Sequence, residues 1–389
     1  MALMALDDDD ALDAVSDIDE SDLSIRPRDF TEMVVAPTDW TISVLADLLK
    51  RKKIDLQPNY QRRVAWTEDK MSKFIESLFL RLPVPQIVLA ELTPGRFAVI
   101  DGKQRLNSLA RFCLDTDQPL VLKGCEYRRD LDGLTYGAML GRLDLEGSVD
   151  AFQSHTVRTT VIKSGASKEL LYLLFLRLNQ NSVTLSPQEL RRALYPGDFV
   201  EWLDEVTTQS EGMKYIFKKT PDFRMRDMEI ATRFLAFYFI SASYNGNMKQ
   251  FLDNITKYFT DNWADSGGML TNAWKNLEMS VDATVKIFGP DAFKVWNGDN
   301  FSLTRNRAVM DIMMFYFSEE RTASQAVQRK EDVKAQFQLL CEGHQAFLRS
   351  LTLSTKTQLS TNDRFAIWGA ELAEMLGPVR HFPSNLIPM

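Results

Sequence analysis

The chain has 389 residues, 45% hydrophobic and 25% charged, room for two ordinary soluble domains or one large one. No apolar run approaches the ~18 to 20 residues of a membrane span, and three cysteines (Cys113, Cys125, Cys341) with no CxxC pair argue against a disulfide framework and a zinc site of that kind. The net charge of −7 is uneven, because nine of the 53 acids lie in residues 1–22, leaving 44 acids against 46 bases in a near-neutral body. Residues 1–25 therefore read as a disordered acidic tail that keeps the chain soluble, or that lies over a basic cleft until another polyanion displaces it. The first residues lack the basic stretch of a secretory signal, so a cytoplasmic location is expected.

In chain order, residues 39–50 (DWTISVLADLLK) predict a short helix with Thr41 near its start, and IDLQPNYQRRVAW predicts an extended segment. Thr67 can cap the next helix, whose Met71, Phe74, Ile75, Leu78 and Phe79 share one apolar face until Leu82-Pro83-Val84-Pro85 stops it. PQIVLAEL, TPGR and FAVID read as a β-hairpin, followed by Asp101-Gly102-Lys103-Gln104-Arg105 and a helix. TVRTTVIKS (156–164) is a further strand, rich in β-branched residues. Beyond residue 166 the signal is helical. Ser167 caps a buried helix through LLYLLFLRL, NQNSVTL is a loop, and Ser186-Pro187-Gln188-Glu189 is a capping box. Further helices are expected over 199–208, 225–243, 247–262, 269–287, 305–318, 324–351 and 362–376. The fold class is α+β, with a mixed α/β domain at 26–166 and an all-helical domain at 167–389.

A strand that meets a helix through a glycine presents backbone amides to an anion. Gly102 lets a ligand approach the chain, the helix start offers unpaired N–H groups, and Lys103 and Arg105 add positive charge. Asp101 would be unfavourable beside phosphate unless it holds a metal, orients water or pairs with an arginine. An ordinary capped helix with two solvated bases has the same local sequence. Three other clusters stand out. Tyr60, Gln61, Arg62, Arg63 and Trp66 could stack on and read a base, or be core aromatics with snorkelling arginines. Asn179, Gln180 and Asn181 precede the helix carrying Glu189, Arg191 and Arg192, and Arg224, Arg226, Asp227 and Glu229 open a long helix where alternating charges usually form structural ion pairs.

In this order the clusters resemble the N-terminal domain of GmrSD-type restriction enzymes (domain of unknown function 262) over about residues 40–260. The resemblance rests on Tyr60-Gln61-Arg62…Trp66, Leu82-Pro83-Val84-Pro85, Asp101-Gly102-Lys103-Gln104-Arg105, Phe175-Leu176-Arg177-Leu178-Asn179 and Gln188-Glu189-Leu190-Arg191. Lys103 departs from the family's D-G-Q-Q-R. The resemblance implies a ParB/sulfiredoxin-like nucleotide domain of a prokaryotic DNA-defence system. Its implied catalytic residues are Asp101, Gln104 and Arg105, with Asp101 also on Mg²⁺. Tyr60, Gln61, Arg62, Trp66, Gly102, Lys103, Asn179, Glu189 and Arg191 would bind an NTP carrying that Mg²⁺.

Sulfiredoxin chemistry is not expected, because no cysteine lies in the signature. Nor is the family's HNH nuclease half, because His155, His344 and His381 form no such arrangement. The primary expectation is an NTP-binding, NTP-hydrolysing switch. The alternative is a DNA-binding or regulatory (immunity) subunit without turnover, working with a partner nuclease. Homo-oligomerisation stays open.

Overall fold

The structure is a computed structural model that describes residues 22, 23, 25–56, 66–114, 116–163, 165–178, 186–217 and 220–388. The chain divides into two compact units, one of Leu23–Leu194 with Phe223–Met225, the other of Tyr195–Asp222 and Arg226–Met389 with Asp22.

The first unit contains α1 (Pro27–Glu32), β1 (Val35–Thr41), α2 (Ile42–Lys50), β2 (Ile54–Asp55), α3 (Glu68–Phe79), β3 (Ile87–Thr93), β4 (Arg96–Asp101), α4 (Lys103–Cys113), α5 (Tyr136–Leu140), α6 (Glu146–Ser154), β5 (Thr156–Ile162), α7 (Lys168–Leu178) and α8 (Pro187–Leu194). Among the described residues the strands form one mixed sheet in the order β1-β5-β3-β4-β2. The β3–β4 and β1–β5 pairs are antiparallel, whereas β3–β5 and β2–β4 are parallel. The expected hairpin is therefore present, and β4 lies inside the sheet.

The apolar run of β4 is continuous because both faces of the strand are covered. Phe97 and Val99 join a core with Ile87 and Leu89 of β3, Leu45 and Leu49 of α2, Ile75 and Leu78 of α3, Leu106 and Leu109 of α4 and Phe152 of α6. The alternate residues Ala98 and Ile100 are equally buried on the opposite side, where α7 and α8 pack on β4. Sheet geometry thus delivers Asp101 from a strand held on both sides, which fixes where α4 begins.

Two expected caps form as read. The Thr67 hydroxyl accepts from Lys70 N–H and the Ser167 hydroxyl from Leu170 N–H. The helix expected over 39–50 starts at Ile42 instead, since Asp39, Trp40 and Thr41 end β1 and the Thr41 hydroxyl caps α2 by accepting from Val44 N–H. β1 escaped notice because Pro37 sits within it. Proline is tolerated there because β1 is an edge strand with a free side.

The described part of the second unit is helical: α9 (Asp198–Gln209), α10 (Glu211–Ile216), α11 (Arg226–Ile240), α12 (Met248–Asp261), α13 (Trp263–Phe288), α14 (Arg307–Tyr316), α15 (Glu320–Gln328), α16 (Lys330–Gly343), α17 (Gln345–Thr352) and α18 (Gln358–Leu376). The stretch 324–351, expected as one helix, falls across α15, α16 and α17. His344 makes the second break: its ring Nδ1 accepts from Phe347 N–H and caps α17. No helix in the described residues is long and apolar enough to cross a membrane.

Candidate functional site

β4 ends on Asp101, Gly102 turns the chain with φ +98°, and α4 starts at Lys103. Glycine is required on two counts. That φ lies in the left-handed region, and a Cβ would meet Ile87 Cγ1 at 3.1 Å and the Arg105 guanidinium at 3.3 Å. As N-cap it supplies no capping side chain. The first intrahelical bond runs from Leu106 N–H to the Gly102 carbonyl, so the helix's own bonds do not use the amides of Gln104 and Arg105.

Asp101 is held in place by its neighbours. Its Oδ1 accepts from Gly102 N–H at 2.7 Å and its Oδ2 from Arg105 Nη2 at 2.9 Å, four residues along. Its side chain keeps 27% exposure while that of Arg105 keeps 10%, so the carboxylate is the more open of the two.

Lys103 points inward and its ammonium donates to Glu189 Oε1, with both residues over nine-tenths buried. Glu189 also completes the capping box read from the sequence. Its Oε2 accepts from Ser186 N–H at 2.7 Å, and the Ser186 hydroxyl accepts from Glu189 N–H at 3.1 Å. One carboxylate therefore caps α8 and neutralises the first residue of α4. Arg191, fully buried, donates to Gln188 Oε1.

Farther along α4, Asn107 is fully buried and neither amide atom has a hydrogen-bond partner among the described residues. Gln104 Oε1, three residues earlier, is likewise buried and unpartnered. The sequence reading missed Asn107. Its only signal was the four-residue spacing from Lys103, which places it on the same helix face.

Of the other expected site residues, Tyr60, Gln61, Arg62 and Asn179 lie outside the described residues. Trp66 packs on the core of its unit, edge-on to Phe74 with centroids 5.9 Å apart and Lys70 Nζ 5.1 Å from its ring. The cluster opening α11 forms ion pairs within the helical unit. Arg226 binds Asp222 at 2.8 Å and Glu229 binds Arg307 at 3.2 Å, while Asp227 accepts from Asp222 N–H and Met228 N–H.

Among the described residues no three His, Cys, Asp or Glu side chains are grouped to hold a metal. An ion carried in on ligand phosphates needs fewer, since Mg²⁺ usually takes one or two carboxylates plus phosphate and water. Asp101 is the carboxylate available at the start of α4, and it fits that reduced demand. Burial pushes the thiols of Cys113, Cys125 and Cys341 up to about 12, which leaves them protonated and poor nucleophiles at neutral pH.

Residues 45–196 match the family model described as GmrSD restriction endonuclease, N-terminal domain, a span that covers β4, α4 and α8. No curated protein matches the chain.

Proposed function

With residues 45–196 assigned to the GmrSD restriction endonuclease N-terminal family, we propose that the chain is a nucleotide-responsive component of a restriction-like DNA-defence system. The observation that carries this reading is the start of α4, where Gly102 turns β4 into a helix whose own bonds do not use the amides of Gln104 and Arg105. Phosphate would sit on those amides, favoured by the helix dipole. Arg105 would grip a phosphate oxygen, and it is already aligned by Asp101. Asp101 would hold the Mg²⁺ that arrives on the nucleotide, and that ion would supply neutralising charge at the phosphates. Lys103, paired with Glu189, would brace the start of α4 behind the amides, and Gln104 would face the bound ligand. Tyr60, Gln61, Arg62, Trp66, Asn179 and Arg191 remain proposed contributors from the family pattern.

The test is phosphate release from ATP, GTP, CTP and UTP with Mg²⁺, with and without DNA, in wild type and Asp101→Ala, alongside calorimetric binding. Turnover that the mutant loses is the expected result. Nucleotide binding that survives both Asp101→Ala and Arg105→Ala would overturn the assignment.

A second reading, a regulatory subunit that binds without turning over, is favoured by one observation. Lys103 is already neutralised by Glu189, so the positive charge that would assist a leaving phosphate is spent internally. Binding without phosphate release would select it.

A further inference from the structure

The interior of α4 carries a cost that packing does not explain. Asn107 is fully buried with its Oδ1 and Nδ2 both unpartnered, and Gln104 Oε1 beside it is buried and unpartnered too. Leaving such groups unsatisfied is destabilising, whereas an apolar side chain of similar size there would stabilise the helix.

Helix geometry says where these atoms aim. Side chains lean toward the N-terminus of their helix, so Asn107 lies over the turn formed by Lys103 and Gln104. Four residues span about 6 Å along the axis. A group bound by Asn107 would therefore lie within about one sugar's length of a phosphate on the first amides of α4. Two acceptor oxygens and an amide NH₂ suit hydroxyls, each of which both donates and accepts.

We infer that Gln104 and Asn107 form a sugar subsite, which makes the ligand a ribonucleotide in preference to its 2′-deoxy counterpart. The inference rests on the phosphate reading given above and adds a specificity to it. Discrimination arises because a 2′-deoxy ligand leaves the buried amide unpaired, whereas a ribose satisfies it. Asn107 is thus a specificity residue whose polarity lowers the stability of the ligand-free protein.

The experiment uses the full chain, with calorimetric titration of ATP, GTP, CTP and UTP, their 2′-deoxy forms, and inorganic pyrophosphate. Wild type is compared with Asn107→Leu and with the near-isosteric Gln104→Met, and the Tm of each ligand-free protein is recorded. Wild type should prefer the ribonucleotide by about tenfold or more. Both variants should bind the two sugars about equally, and Asn107→Leu should keep wild-type affinity for pyrophosphate and show a raised Tm. A preference that survives in both variants, or a wild type indifferent to the sugar, overturns the inference while leaving nucleotide binding intact. A lower Tm in Asn107→Leu overturns it too, by showing that the amide is satisfied without ligand. Absence of any nucleotide binding in wild type overturns the functional reading and the inference together.

Discussion

Gly102 shows how much a single residue decides here. A side chain at this position would have to adopt φ +98° and would press on Ile87 and on the Arg105 guanidinium. Gly102→Ala should therefore cost about 1 to 3 kcal/mol of stability through backbone strain. It should also move Arg105 off Asp101, the contact that orients the guanidinium. Urea unfolding measures the first effect and nucleotide affinity the second; a variant as stable as wild type would show that the turn relaxes easily. The requirement was legible in sequence, since a lone glycine between an apolar strand and an amphipathic helix announces a turn. The roles of the bases beside it were not. Lys103 and Arg105 looked alike as mobile cations, yet Lys103 is tied to Glu189 and Arg105 to Asp101. The difference depends on where a residue 86 positions away arrives, and local sequence holds no information about that.

Between elements, the Lys103–Glu189 contact joins the first residue of α4 to the capping box of α8. The box itself was readable, because Ser186-Pro187-Gln188-Glu189 satisfies rules internal to four residues. Its second use by Lys103 was not. Removing one partner leaves the other buried without its counter-charge, so Lys103→Ala should cost about 3 to 5 kcal/mol. The paired change Lys103→Gln with Glu189→Gln removes both charges while keeping amides that can bond each other and Ser186. That double variant should be far more stable than the sum of its single changes predicts. A double-mutant cycle by denaturant unfolding reads the coupling directly, and additive single effects would mean the two residues do not act as a pair. The same limit of local reading explains the missed β1. Pro37 and Asp39 speak against a strand until β5 is known to lie alongside on one side only.

For the whole molecule, charge is balanced locally, by buried and exposed pairs in both units. In the helical unit, beside exposed pairs such as Lys257–Asp261 and Lys286–Asp282, one buried cluster stands out. Asp311 of α14 accepts from Arg233 of α11 and Arg364 of α18, all three nearly inaccessible, so one carboxylate holds three helices in register. In the other unit many pairs lie nearer the surface, and their titration sets how that unit responds to acid. His155 is pushed below its ordinary value first by burial and then by the positive charge of Arg81. Hydrogen bonds from Arg111, Arg128 and Lys73 hold the carboxyls of Glu68, Asp130 and Glu126 below the usual range. Each of these groups binds its proton less readily when folded than when unfolded. Their contributions are therefore present above the unfolded values and are lost as pH falls through the folded ones. Stability should hold across neutral pH, begin to fall below about pH 6.5 as the unfolded-state histidine protonates, and fall again below about pH 4 with the carboxylates. His155 is the histidine that burial holds below its ordinary value, so His155→Gln should remove the upper stage and leave the lower one unchanged. Urea midpoints measured from pH 8 to pH 3 separate the two stages. An upper stage that persists in the variant would assign it to another group, and stability that rises on acidification through pH 6 would contradict the depressed histidine.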